Sequence, residues 1–201
     1  AGFVQEVIAA SRYLKHRAPD LDAAIELGGE DAKLLYLSNG VELRMNEACA
    51  GGTGAFIDQM ASLLDVDAAG LNKLASEAQI SHPMASRCGV FAKTDLVALL
   101  NGGVPKSEVA RSVLDAVAEQ TVSGLACGRP VRGKIAFLGG PLTFLSELRA
   151  AFERRLSSTG TTFASFCDAH CAVAIGAALE GMDPASRAHR SRVWHSIDDL
   201  V

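Results

Sequence analysis

Ile25-Glu26-Leu27-Gly28-Gly29-Glu30-Asp31-Ala32-Lys33 is the stretch on which the reading of this chain turns. The short apolar run from Ala23 to Leu27 carries one acidic residue and ends in two glycines, which predicts a buried strand followed by a tight turn. Without Cβ atoms, a backbone can approach a phosphate closely and aim its N–H groups at it. A carboxylate beside such a turn can hold Mg²⁺, which binds through one or two carboxylates plus phosphate oxygens. Turns of the same composition also close hairpins that bind nothing, so both readings stand at this point. A second double glycine, Gly139-Gly140, follows the apolar run Lys134 to Leu138. It again permits close approach, here to a nucleoside, or serves only as a strand-to-helix turn. The pair strengthens the first reading, because a nucleotide held between two halves of a fold needs such turns on facing sides.

Upstream of the first turn, Phe3, Val7, Ala10 and Leu14 recur at helical spacing and predict an amphipathic helix that Pro19-Asp20 ends. Downstream, Lys33–Ser38 and Val41–Met45 flank Asn39-Gly40, a strong hairpin signal. Beyond Cys49-Ala50-Gly51-Gly52-Thr53-Gly54, helices are expected around Phe56–Leu64, around Leu71–Ala78 and over Val90–Leu100. The next should hold Pro105 in its first turn and carry Val109, Val113, Val117 and Leu125. The strand Lys134–Leu138 follows, then a helix over Leu142–Leu156, a strand over Thr161–Phe166 and a small-residue helix over Ala169–Leu179. Strands alternating with helices define an α/β unit, and the hairpin makes its sheet mixed. The expected division is one lobe over residues 1–182 and a polar tail or terminal helix over 183–201.

With 19 basic against 23 acidic side chains and a formal charge of −4, the chain offers no basic surface for nucleic acid. Its apolar runs are short and broken by charge, so no membrane span is expected, and the first residues do not read as a signal peptide. Five cysteines scattered through apolar surroundings argue against a secreted disulfide framework and for a reducing, cytoplasmic setting.

Cys49 and Cys88 each precede a predicted helix, where exposed N–H groups and the helix dipole stabilise a thiolate or an anionic cluster. Thiolates ligate Fe–S clusters; two are too few for a four-Cys site, but a symmetric dimer would supply four. By position alone, buried inert thiols are the commoner reading. Cys167-Asp168-Ala169-His170-Cys171 has metal-ligand residue types but no second pair at suitable spacing, which argues against zinc. Cys127 reads as a packed thiol at a helix end. His16, His82, His189 and His195 lack a matched nucleophile, and Ser86 and Thr94 read as helix caps.

Taken together, these residues resemble the BadF/BadG/BcrA/BcrD-type ATPases, the activators of 2-hydroxyacyl-CoA dehydratases and the ATP-binding subunits of benzoyl-CoA reductases. The resemblance rests on five segments in order: Glu26–Lys33, Met45–Gly54, Ser86–Ala92, Gly139-Gly140 and Ala174–Leu179. The wording of Gly51–Met60 and Phe137–Leu142 is most like the long fused activase branch.

The resemblance implies an ATPase lobe of the actin, Hsp70 and sugar-kinase (ribonuclease-H-like) fold. It implies that Glu26, Gly28 and Gly29 form a phosphate loop with Asp31 and Lys33 beside it, Glu26 and Asp31 in catalytic roles. Gly139 and Gly140 would lie against the adenosine of ATP or ADP with Mg²⁺. Cys49 and Cys88 would ligate a [4Fe–4S] cluster shared across a homodimer. ATP hydrolysis would then drive a low-potential electron into a CoA-ester dehydratase or reductase, itself fused or separate.

This sequence departs from the pattern in places. Glu26 stands where the family usually has Asp, Gly52 where it has Ala, and Pro141 where many members differ. The Asp-x-Gly-Ser turn with which members begin is not present, so the chain is expected to be a fragment lacking the first phosphate-loop lobe, possessing half a nucleotide site. A sugar-kinase-like phosphotransferase and a degenerate assembly module of a larger protein remain as alternatives. The first leaves the paired cysteines unexplained; Glu26 and the missing turn favour the second.

Overall fold

The computed structural model describes residues 4–38, 40–46, 52–85, 89–158 and 160–184. Five strands, β1 (Ala23–Leu27), β2 (Ala32–Tyr36), β3 (Glu42–Met45), β4 (Lys134–Leu138) and β5 (Thr162–Ala164), form one sheet in the order β3-β2-β1-β4-β5. β1, β2 and β3 are successively antiparallel, while β4 lies parallel to β1 and β5 parallel to β4. The mixed sheet expected from the hairpin is therefore present, and Val41–Met45 pairs with the preceding strand as anticipated. β1 is buried along its whole length because it is central and covered on both faces, which is why its apolar residues run on without alternation.

Alternation of side chains sorts the sheet into two faces. Ala23, Ile25, Leu27, Leu34, Tyr36, Ile135 and Phe137 join the larger core. That core is closed by α2 (Gly54–Leu63), α3 (Ala68–Ser76), α4 (Gly89–Asn101), α5 (Lys106–Ala126), α6 (Gly140–Phe144) and α7 (Ser146–Leu156). Ala24, Leu35, Ala136 and Leu138 point the other way, onto α1 (Glu6–Arg17) and α8 (Ala172–Met182). α1 and α8 cross at very short range: a Cβ on Gly176 would stand 1.8 Å from the Ala9 carbonyl oxygen.

Several local expectations shift. The helix foreseen over Leu142–Leu156 is two helices, parted at Leu145, whose backbone is extended. The second is capped from outside: the Glu147 N–H donates to Asn72 Oδ1 at 2.8 Å. The helix foreseen from Ala169 opens as a 3-10 turn over Ala169–Cys171 before α8 begins. Pro105 stands at the N-cap of α5, one place before the helix proper. Thr94 caps nothing; it lies inside α4 and its hydroxyl donates to the Val90 carbonyl at 3.1 Å. Cys127 does end α5, in the left-handed region at φ 46°, but it is exposed rather than packed. Cys167 and Cys171 are exposed as well. Ser86 and residues 185–201, with His189 and His195, lie outside the described residues.

Candidate nucleotide site

The β1–β2 register sets Glu26 directly opposite Lys33. Both fall on the face that meets α1. Lys33 is buried, and its Nζ donates to Asp31 Oδ2 at 2.6 Å and to Glu6 Oε1 at 2.7 Å. Glu26 is 7% exposed; its Oε2 lies 3.9 Å from Lys33 Nζ and has no hydrogen-bond partner. Burial pushes the Glu26 carboxyl above the usual carboxylate range, with Lys33 opposing and Glu6 and Asp31 adding to the shift. Burial works against the Lys33 charge, yet the bonds to Asp31 and Glu6 outweigh it and its pKa is raised.

The turn between these strands carries no side chain at its first two positions, Gly28 and Gly29. The Gly28 N–H donates to the Asp31 carbonyl at 2.8 Å, and a Cβ on Gly28 would meet Asp31 Oδ1 at 2.0 Å. Gly29 is exposed and has open space where a Cβ would stand. The second glycine turn is its neighbour, since β4 runs parallel to β1 with Leu138 opposite Glu26. Gly139, at φ +88°, packs so closely that a Cβ would lie 2.0 Å from the Leu27 carbonyl oxygen. The two double glycines foreseen in the sequence thus share the carboxyl end of two adjacent parallel strands, the usual location of ligand crevices in α/β sheets. An orphaned buried carboxylate oxygen beside a glycine turn suits a divalent cation that arrives with phosphate. Glu26 would hold it and the Gly28-Gly29 backbone would face the phosphate.

A third segment joins the site. The N–H groups that open α2 have no partner within their own helix. Those of Gly54 and Ala55 donate instead to the carbonyls of Gly28 and Gly29, at 3.0 and 2.7 Å. Gly52 is at φ +84°, which explains glycine where the resemblance led one to expect alanine. The first residue of α4, Gly89, faces the Phe56 ring of α2; a Cβ there would stand 3.3 Å from it. The starts of the two helices that follow Cys49 and Cys88 are therefore close together. Both cysteines lie outside the described residues.

Glu6 was missed in the sequence, where it is one acidic residue in a helix 27 positions from its partner. So was the exposed Phe144, whose ring is 5.0 Å from that of His170 beside the second turn. Among the described residues, no three His, Cys, Asp or Glu side chains are grouped to hold a metal. The larger clefts lie elsewhere. One of about 420 Å³ between α5 and α7 is lined by Arg154 and Arg155, each already paired with a carboxylate, Asp115 or Glu119.

Sheet order and glycine turns define an ATPase-type α/β lobe of the actin, Hsp70 and sugar-kinase class. The model of the BadF/BadG/BcrA/BcrD ATPase family matches residues 9–181, and the chain belongs to that family. Among its relatives, the (R)-2-hydroxyglutaryl-CoA dehydratase activating ATPase of Acidaminococcus fermentans is 31% identical over 61% of this chain and 47% of its own length. The 2-hydroxyisocaproyl-CoA dehydratase activator of Clostridioides difficile is 30% identical over 68% of this chain and 52% of its own. The chain spans about half the length of these curated relatives. A solved activator of the 2-hydroxyisocaproyl-CoA dehydratase from Clostridium difficile, with bound ADPNP, superimposes with a TM-score of 0.81 at 27% identity. That match covers 96% of this chain and 71% of the other. Among the described residues, no helix is long and apolar enough to cross a membrane.

Proposed function

We propose that this chain is the nucleotide-binding lobe, residues 1–182, of a cytoplasmic, ATP-driven activator that delivers low-potential electrons to a CoA-ester dehydratase or reductase. The observation that carries the reading is the pair of main-chain hydrogen bonds from Gly54 and Ala55 to Gly28 and Gly29. They tie the turn expected to face phosphate to the helix that follows Cys49. The named relatives and the ADPNP-bound neighbour support the same reading.

In this reading Glu26 holds Mg²⁺, and Gly28, Gly29 and Lys33 receive the phosphates, with Asp31 orienting Lys33. Gly139 and Gly140 border the adenosine. Cys49 and Cys88, with their copies in a second subunit, ligate a [4Fe–4S] cluster, which supplies one-electron chemistry at low potential. Coupling requires ATP to bind two arrangements of α2 and α4 with different affinity.

The test is iron content. Purified without oxygen and reconstituted with iron and sulfide, the chain should hold about two irons, half of a four-iron cluster shared by two subunits. Cys49→Ala and Cys88→Ala should each lose them. A chain that binds nucleotide but takes up no iron would instead be an assembly module.

A further inference from the structure

Three carboxylates surround one buried ammonium, and the most buried of the three, Glu26, has an oxygen without a hydrogen-bond partner. Lys33 Nζ is 2.6 Å from Asp31 Oδ2 and 2.7 Å from Glu6 Oε1, but 3.9 Å from Glu26 Oε2. A lysine ammonium on a flexible four-carbon stem closes readily on an unpaired carboxylate, and the attraction is strong away from water. Lys33 needs to move only about 1 Å to reach hydrogen-bond distance of Glu26, and two anchors keep it from doing so. Asp31 belongs to the glycine turn itself and would move with it. Glu6 does not: it is in the first turn of α1, outside the turn and outside every motif quoted above.

The helix that carries Glu6 is itself well held. α1 packs on α8 at the Gly176 crossing. Arg12 of α1 pairs with Glu180 and Asp183, and the Tyr13 hydroxyl donates to Asp168 at 2.5 Å. Glu6 therefore presents its carboxylate from a fixed platform.

We propose that Glu6 is a positioning residue: it holds Lys33 off Glu26, so that the free Glu26 oxygen stays open to the divalent cation that accompanies the nucleotide. The proposal rests on the phosphate-site reading above. Without Glu6, Lys33 swings onto Glu26, neutralises it and occupies the cation's place. If Glu6 is only a half-exposed ion-pair partner, its loss should lower stability slightly and leave cation binding alone.

The probes are ADP alone and Mn²⁺ with ADP. Calorimetry gives the affinity of the chain for each, and water-proton relaxation reports Mn²⁺ immobilised on the protein. Wild type should prefer Mn·ADP to ADP. Glu6→Gln should reduce that preference, read as the ratio of the Mn·ADP to the ADP affinity of the same variant, about tenfold. Set against Lys33→Met alone, adding Glu6→Gln in the Lys33→Met background should cause no further loss of preference, because no ammonium remains to close on Glu26.

A preference undiminished in Glu6→Gln overturns the proposal and leaves the phosphate-site reading standing. A preference reduced by the same factor when Glu6→Gln is added to the Lys33→Met background assigns Glu6 a structural role and also overturns it. A wild type with no preference for Mn·ADP removes the phosphate-site reading, and the proposal with it.

Discussion

Glu26 bears a cost that the rest of the sheet does not. Its carboxyl is buried on a central strand with one oxygen unpartnered, and burial raises its pKa in the folded chain. Proton linkage then gives a definite sign. The folded state binds the proton more tightly than the unfolded one. Glu26 thus favours folding at low pH, and that contribution is lost as pH rises from the ordinary value, 4.5, through the raised native value. Glu26→Gln should therefore raise the thermal midpoint of the ligand-free chain at neutral pH. The gain should fade below about pH 4.5, where both states of the wild type are protonated. The same substitution should abolish the preference for Mn·ADP. A stability gain accompanied by lost ligand binding is the pattern expected of a site residue, and a pH series of melting curves with and without ligand checks it. The strand and its double glycine were legible in the sequence. That Glu26 faces Lys33 was not, because the pairing depends on a register across the turn that composition does not set.

Among the elements, helix ends decide most of what differs from expectation. Periodicity located α1 through α5 because each buries an apolar stripe against the sheet or a neighbouring helix. It could not divide α6 from α7, since Leu142, Leu145, Leu148 and Phe152 are all buried and keep a helical spacing across the break. The break is fixed by Asn72 of α3, whose side chain accepts the Glu147 N–H from 75 positions away. A cap supplied by a distant side chain leaves no local signature. α3 shows the opposite case, with Asp67 at its N-cap accepting the Gly70 N–H at 2.7 Å. Asp67→Ala should cost about 1 kcal/mol, seen as a lower urea midpoint with an unchanged m-value. Because α3 packs chiefly on α5, α2 and α7, nucleotide affinity should remain at the wild-type level.

At the scale of the whole molecule the sheet divides two mechanical systems. On one side, α1 and α8 form a closely crossed pair that carries Glu6. On the other, α2 and α4 meet at Phe56 and Gly89 and lead back to Cys49 and Cys88. Gly176→Ala should separate α1 from α8 and cost about 2 kcal/mol in urea unfolding. It should also weaken the preference for Mn·ADP, because the platform under Glu6 shifts; an unchanged preference would mean that the position of α1 does not govern Lys33.

The connection from the glycine turn to α2 is of another kind, since it runs through two peptide groups, Gly54 to Gly28 and Ala55 to Gly29. Amide hydrogens and carbonyl oxygens are the same in every amino acid except for proline's missing N–H. Alanine at Gly28 or Gly54 would crowd this joint without removing either bond, so a side-chain scan cannot isolate the bonds themselves. Replacing single amides by esters is the chemistry that can see them.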